Sequence, residues 1–142
     1  MRISRGRASA RDSDLRTETF TGTVWADPVL PTQDDVTVHT IVFAPGSRTH
    51  WHRHGVGQVL VVTHGAGFLQ ARNGEGGRLT PGDVAHIPAG EEHWHGATPG
   101  TLMIHLAVSM GPTQWLEPVS DEDYARAFRE QTLVDRQREP TG

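Results

Sequence analysis

The chain is a succession of short β-prone runs, each closed within a few residues by glycine or proline. Residues 36–43 and 101–110 are the clearest of these runs, and the chain contains 16 Gly and 9 Pro. Asn73-Gly74 and Pro81-Gly82 are typical turn pairs, a turn is expected at Asp27-Pro28, and residues 30–35 are expected to form a loop. No stretch before residue 118 has helical periodicity. This punctuation predicts an all-β barrel or sandwich.

Only the C-terminal stretch has the pattern of a helix. Ser120 is a typical N-cap residue, and the three residues after it are acidic, which the positive end of a helix dipole favours. Tyr124, Ala127 and Phe128 would then form one apolar stripe. We predict three parts: a flexible N-terminal arm over 1–17, a β-barrel over 18–118, and a C-terminal helix and tail over 119–142.

The composition excludes several classes of chemistry. There is no Cys among the 142 residues, which excludes disulfides, thiolate nucleophiles and cysteine-ligated metals. All 13 basic residues are Arg, so no lysine is present for Schiff-base chemistry. The net charge is -4, and no apolar run approaches the roughly 18 residues of a membrane span. We expect a cytoplasmic protein that binds neither nucleic acid nor a membrane.

Two clusters of histidine predict a metal site. The first cluster consists of residues of one parity, His50, His52, His54 and Gln58. A second alternating pair, His93 and His95, follows later in the chain. Alternate side chains of an extended chain point to one side, and imidazole is the commonest protein ligand for divalent transition metals. We therefore expect the two clusters to converge on one ion.

The spacing of these residues resembles the two sequence motifs of the cupin family. The first motif is matched by Gly46, His52, His54, Gln58 and Gly65, and the second by Gly82, Pro88, Gly90 and His93. Gln58 stands where most cupins have Glu, and Ala97 replaces the Asn that closes the second motif. Further matches over roughly residues 20–124 are similar to the small bacterial cupins typified by the manganese-dependent hydroxynitrile lyases. They include Trp51-His52-Arg53-His54, Pro81-Gly82-Asp83-Val84 and His93-Trp94-His95-Gly96-Ala97.

This resemblance implies a cupin double-stranded β-barrel, or jelly roll, with a short C-terminal helix, assembled as a homodimer or homotetramer. It also implies a divalent transition metal, expected to be Mn²⁺, with Fe, Ni, Co and Zn as alternatives. The positions that match the family's metal ligands are His52, His54, Gln58 and His93, although Gln58 could instead be a polar neighbour of the ion. Because all four ligands would be neutral, the ion would keep its full charge and polarise a substrate oxygen strongly.

The activity that the resemblance implies is that of a metal-dependent hydroxynitrile lyase, which interconverts a small aromatic cyanohydrin with an aldehyde and HCN. The positions matching His95 and His105 lie in the family's pocket, so these residues are assigned the acid and base roles, without deciding which is which. Thr49 could hydrogen-bond the departing nitrile. His50 stands where the lyases carry a small apolar residue, and its place is open between the pocket and the rim.

Two other functions fit the same motifs. One is a metal-dependent dioxygenase or oxidase, which would consume oxygen and need a redox-active ion. The other is a cupin that binds a small molecule without turnover. A lyase differs from both because it should form product in the absence of oxygen.

Overall fold

The computed structural model describes residues 1–6 and 12–138, the stretch 132–138 as backbone only. The elements of this part of the chain are β1 (Asp14–Arg16), β2 (Phe20–Thr21), β3 (Val24–Gln33), β4 (Val36–Phe43), β5 (Arg48–Thr49), β6 (His52–His54), β7 (Gly57–Gly65), β8 (Gly67–Ala71), β9 (Gly76–Leu79), β10 (Val84–Pro88), β11 (His93–Ala97), β12 (Met103–Met110), β13 (Thr113–Trp115) and α1 (Asp121–Arg138). No helix among them combines the length and apolarity that a membrane crossing requires.

Two antiparallel sheets curl into a barrel, as predicted. The first sheet has the order β1-β3-β4-β12-β7-β10, and the second has the order β13-β6-β11-β5-β2, with β8 pairing β11 and β9. Inward side chains of both sheets meet in one core, in which Val24, Phe43, Leu60, Ala97 and Met103 are fully buried. The alternation of buried and partly buried positions along β7 and β12 is what a sheet with one inner face requires.

Strand β3 differs from the prediction of a turn at Asp27-Pro28 and a loop over 30–35. The strand continues through Pro28 to Gln33, with register shifts between Pro28 and Leu30 and again before Gln33. Proline lacks an N–H, but β1 covers only residues 24–26 of β3, so the later part is a sheet edge where proline is tolerated. The hairpin turn lies instead at Asp34 and Asp35, whose φ angles are 51° and 60°, a conformation that Asp accepts more readily than most residues.

The N-terminal arm is partly ordered. Its last residues, Asp14–Arg16, form β1 and pair with β3, with Leu15 opposite Trp25 and Arg16 opposite Val24. This pairing satisfies backbone groups at the edge of the first sheet, which the sequence did not indicate. Residues 7–11 of the predicted arm and 139–142 of the predicted tail lie outside the described residues, and the three-part division of the chain stays a prediction.

Helix α1 begins where its N-cap signal predicts and is attached to the barrel by a buried arginine. The backbone N–H of Asp123 donates to Ser120 Oγ at 3.1 Å. Arg48, only 5% exposed, donates from Nη2 to Val119 O at 2.9 Å and to Asp121 Oδ1 at 2.7 Å. The Tyr124 hydroxyl donates to Ala97 O at 2.7 Å. The helix therefore packs on the second sheet, where Tyr124 and Ala127 join a buried aromatic cluster.

The outward face of the first sheet is apolar over several strands. Cross-strand register places Trp25, Val42 and Ile104 in one row across β3, β4 and β12. A second row, across β12, β7 and β10, consists of Leu106, Val61 and Val84. Strands β4, β7 and β12 contain no charged residue. Trp25 and Val84 are 37% and 65% exposed. Such a continuous apolar face is typical of a protein-protein contact.

Gly65 and Gly46 provide a matched test of backbone packing. Their φ angles are +76° and +77°, but a Cβ on Gly65 would overlap Leu102 O, whereas a Cβ on Gly46 meets nothing within 4 Å. We expect Gly46→Ala to lower the free energy of unfolding by about 1 kcal/mol through backbone strain. Gly65→Ala should lower it by on the order of 3 kcal/mol, because two backbone groups must move apart. Urea unfolding of the metal-free proteins measures both, and equal losses would contradict the packing argument.

Candidate metal centre

A cavity of about 260 Å³ lies inside the barrel, between the two sheets. One part of its wall carries polar side chains from four strands, namely Thr49, His52, His54, Gln58 and His95. All five are buried, with between 1% and 3% of their surface exposed. Ile41, Phe43 and Ala107 form apolar parts of the wall. Buried polar groups that converge in a partly apolar cavity are the usual composition of a binding site.

The two histidine clusters meet because β6 pairs with β11. His52 lies directly opposite His93 across this pairing, and their ring centroids are 4.3 Å apart. His54, two residues along β6, points to the same side, and its ring lies 5.1 Å from that of His52 and 5.7 Å from that of His93. The predicted convergence of both sequence clusters on one place is therefore present.

Backbone carbonyls fix the orientation of two of these imidazoles. His52 Nδ1 donates to His50 O, and His93 Nδ1 donates to Glu91 O, both at 2.9 Å. A carbonyl can only accept, so each Nδ1 carries the proton and each Nε2 of the neutral ring carries a lone pair. Such bonds are the usual means of orienting metal-ligating histidines. Burial, the largest cause, keeps the pKa of both residues below its ordinary value and the rings uncharged.

Gln58 and His93 have facing acceptor atoms. His93 Nε2 lies 3.1 Å from Gln58 Oε1, and Gln58 Nε2 donates to Ser109 Oγ at 3.0 Å, which turns the amide oxygen towards the imidazole. Neither atom can donate to the other, because the proton of His93 is on Nδ1. A cation resolves this arrangement, since neighbouring ligands of an octahedral ion with bonds of about 2.1 Å are about 3.0 Å apart. The donor set therefore fits a divalent metal.

His54 adds a buried nitrogen without a partner. Its Nδ1 lies 3.0 Å from Thr113 Oγ1, and its Nε2 has no hydrogen-bond partner among the described residues. Burial first, and then the neighbouring His93, lowers the pKa of His54 to about 4. A buried imidazole nitrogen without a hydrogen-bond partner lowers the stability of the fold unless a ligand, such as a metal ion, binds to it.

His95 lies beside the same point and is hydrogen-bonded to His105. The ligand atoms of His52, His93 and His95 lie within 4.8 Å of one another. The distance between His95 and these two predicted ligands would therefore allow all three to contact one ion. Its Nδ1 is 3.0 Å from His105 Nε2, and its Nε2 has no partner in the described part of the chain. Burial is the main cause that lowers the pKa of His95 well below the ordinary value and that of His105 to about 4. The two neutral rings therefore share one proton across their hydrogen bond.

Thr49 and His50 have different positions. Thr49 lines the cavity, and its Oγ1 accepts a hydrogen bond from the backbone N–H of His95 at 3.2 Å, which leaves the hydroxyl proton available to a ligand. His50 is not among the cavity residues. The chain bends at Trp51, between β5 and β6, where the Trp51 N–H donates to Glu117 O at 3.0 Å. This bend interrupts the alternation from which a shared face for His50 and His52 was expected.

Sequence reasoning missed several residues that line the cavity. His39 shares parity with Ile41 and Phe43 in the alternating run of residues 36–43, and it lines the cavity with them. Ser109 has the parity of His105, which was a usable signal. Arg16 also lines the cavity but had none, because it lies in the stretch that was predicted to be a flexible arm.

Comparison with known proteins identifies the family. Residues 39–108 match the cupin domain family. The chain is 44% identical over 113 residues to the (R)-mandelonitrile lyase of Granulicella tundricola, an alignment that covers 75% of this chain and 86% of that protein. It is 31% identical over 91 residues to the acireductone dioxygenase of Gluconobacter oxydans, covering 59% of this chain and 46% of that one.

A solved structure has the same fold. The crystal structure of a cupin-like protein from Thermotoga maritima superposes with a TM-score of 0.75 at 36% identity, and covers 89% of this chain and 96% of that one.

Proposed function

Because the chain belongs to the cupin family, we propose that it is a metal-dependent hydroxynitrile lyase that cleaves or forms small aromatic cyanohydrins. The observation that carries this proposal is the arrangement of acceptor atoms facing one another, His93 Nε2 and Gln58 Oε1 at 3.1 Å, beside the hydrogen-bonded pair of His95 and His105. The likeness to a protein named (R)-mandelonitrile lyase supports the reaction class. Cleavage of a cyanohydrin is a carbon-carbon lyase reaction with a small-molecule substrate.

The residues that would hold the ion are His52, His54, Gln58 and His93. A divalent ion bound there supplies a Lewis acid for the substrate oxygen, and we expect Mn²⁺, with Fe, Ni, Co and Zn as alternatives. His95 is left out of the ligand set, since its Nδ1 contacts another imidazole, with which it can exchange a proton. The lack of a carboxylate among the ligands favours Lewis-acid chemistry over oxygen chemistry.

His95 is the group that moves the proton in this proposal. When His95 Nδ1 donates to His105 Nε2, His95 Nε2 carries a lone pair and accepts the hydroxyl proton of the cyanohydrin. The O–H electrons form the aldehyde carbonyl, the carbon-carbon bond breaks, and cyanide leaves with its electron pair. His95 Nε2 then returns the proton to cyanide, so the reaction is balanced. His105 does not line the cavity, so it is a positioning residue that selects the tautomer of His95.

Thr49 is placed to assist the leaving group. Because its oxygen already accepts the N–H of His95, its hydroxyl proton can be donated to the nitrile nitrogen as negative charge develops there. His50 has no role in this proposal.

We also propose that the protein forms a homodimer or homotetramer through the outward face of its first sheet. Five strands about 4.8 Å apart, of about 26 Å in length, offer roughly 600 Å² in projection, which approaches the ~800 Å² per partner of a standard interface. The three central strands carry no charge, so the middle of such an interface would bury no unpaired charge, whereas Asp27 lies towards its margin on β3. A cytoplasmic location stays a prediction.

Restoring turnover by adding single metal ions to the metal-depleted protein tests the function. Chelator-treated protein, supplied separately with Mn²⁺, Fe²⁺, Ni²⁺ or Zn²⁺, should release benzaldehyde from mandelonitrile at mildly acidic pH, which suppresses the spontaneous reaction. Release should be restored by at least one ion and should be the same without oxygen. Metal binding without release would sink the lyase proposal, and release that requires oxygen would favour the dioxygenase or oxidase alternative.

Two histidine variants separate metal binding from proton transfer. His52→Ala should lose both metal and activity, because it removes a ligand. His105→Ala should retain the metal and lower kcat by roughly 100-fold with a smaller change in KM, because His95 loses its tautomer partner. Metal content by elemental analysis and steady-state kinetics measure both, with the exposed His64→Ala as the control. Full activity of His105→Ala would refute its assignment.

Replacement of an outward residue of the first sheet tests the assembly. Leu106→Glu should convert the oligomer into a monomer, because an unpaired charge would be buried at the interface. Analytical ultracentrifugation measures the state, with the exposed Asn73→Glu as the charge control. A wild-type monomer, or an oligomer unaffected by Leu106→Glu, would disprove the assignment of this face.

A further inference from the structure

The cavity wall is unbalanced in charge. Arg16 lines it and, among the described residues, no Asp or Glu does. Arg16 reaches the interior because β1 pairs with β3 in a register that sets Arg16 opposite the fully buried Val24, and paired residues of antiparallel strands share a face. Since a divalent ion at the imidazole cluster would add further positive charge, the cavity favours an anionic ligand.

Arg16 differs from other arginines that lie on the barrel. Arg48 donates to Asp121, and Arg72 is paired with both Glu92 and Glu117. Arg16, by contrast, is half-buried. Within residues 1–6 and 12–138, its guanidinium has neither a hydrogen-bond acceptor nor an ion-pair partner. A partly desolvated guanidinium without an acceptor is costly, and a bidentate carboxylate is the group that suits it best.

His39 contributes a neutral donor beside Arg16. It lines the cavity on β4, as does Thr37. Its pKa is lowered by burial first and then by the charge of Arg16, against a smaller opposite effect of the carboxylate of Asp14. In contrast, the pKa values of His52 and His95 are lowered by burial and by other histidines. The charge of Arg16 therefore affects His39 and not the imidazole cluster. An anionic group there would not need to compete for the metal ligands.

The cavity has room for a substrate with two functional ends. A cavity of about 150 Å³ accommodates benzene, and this one measures about 260 Å³. A benzene ring can therefore carry the reacting carbon near His95 and a second substituent near Arg16. Phe43, whose ring lies 5.9 Å from that of His95, and Ile41 provide the apolar surface between these ends.

We propose that Arg16 is a specificity-determining residue that binds a carboxylate on the ring of the substrate, so that the preferred substrate is a carboxylated aromatic cyanohydrin or aldehyde. This inference rests on the proposed lyase function for its reacting group. The recognition of the carboxylate itself depends only on Arg16 and on the shape and charge of the cavity.

The kinetic test compares 4-carboxymandelonitrile with its neutral methyl ester, using the metal-loaded protein. The wild type should prefer the carboxylate, and Arg16→Gln should lower the ratio of the two kcat/KM values by roughly tenfold or more. Arg16→Lys keeps the charge without the paired donors and should lose less of the ratio. Arg5→Gln is the control, because it removes the same charge from an exposed position on the same arm. An unchanged ratio in Arg16→Gln would overturn the inference while leaving the lyase function intact.

A binding test separates this inference from the reaction. Metal-free protein, in which no ion can attract a carboxylate, is titrated with 4-carboxybenzyl alcohol by calorimetry. Binding that weakens by roughly tenfold or more in Arg16→Gln, and not in Arg5→Gln, would support carboxylate recognition even if no nitrile were cleaved. Equal binding by the wild type and Arg16→Gln, or no binding by either, would refute it.

Discussion

The site depends on the antiparallel pairing of β6 with β11, which sets His52 directly opposite His93. Each strand brings one motif of the sequence, and the period of two along a strand then decides which neighbours join the site. His54 and His95 follow their partners onto the inner face by this rule alone. A shift of β6 by one residue against β11 would turn His52 and His54 towards the second sheet's outer side and separate them from His93 and His95. The register is therefore as much a part of the chemistry as the ligands are.

Burial determines how these imidazoles behave. The side chains of His52, His54, His93 and His95 are at most 3% exposed. The low dielectric of their surroundings lowers the pKa of each. The rings stay neutral and offer lone pairs, which is the state a metal requires. Carbonyl oxygens of His50 and Glu91 settle the tautomers of His52 and His93, whereas His95 is bonded to a partner that can exchange the proton. One buried cluster thus contains two histidines whose tautomers are fixed, His52 and His93, and a hydrogen-bonded pair, His95 and His105, whose tautomers can interchange.

The parts that could be predicted were those governed by local rules. Turn residues and alternation indicated the all-β barrel, Ser120 marked the start of the helix, and motif spacing brought His52, His54 and His93 together. Three features were beyond those rules. Pro28 lies inside β3 because the adjoining edge is unpaired, His50 is displaced by a bend at Trp51, and Arg16 reaches the cavity through a short strand without sequence signal. Each of these is decided by tertiary contacts, which no local pattern encodes.

Strand β1 also separates two kinds of evolutionary constraint. The proposed metal ligands lie on strands that pair with a neighbour on both sides, so changes around them must satisfy neighbours in two directions. Arg16 lies on a three-residue strand at the edge of the first sheet, with a single neighbouring strand to satisfy. If Arg16 binds the substrate as proposed, substitutions there would change which molecules bind without disturbing the imidazole cluster. The arm is thus a position at which a lineage, or a protein engineer, could change substrate preference while the barrel stays as it is.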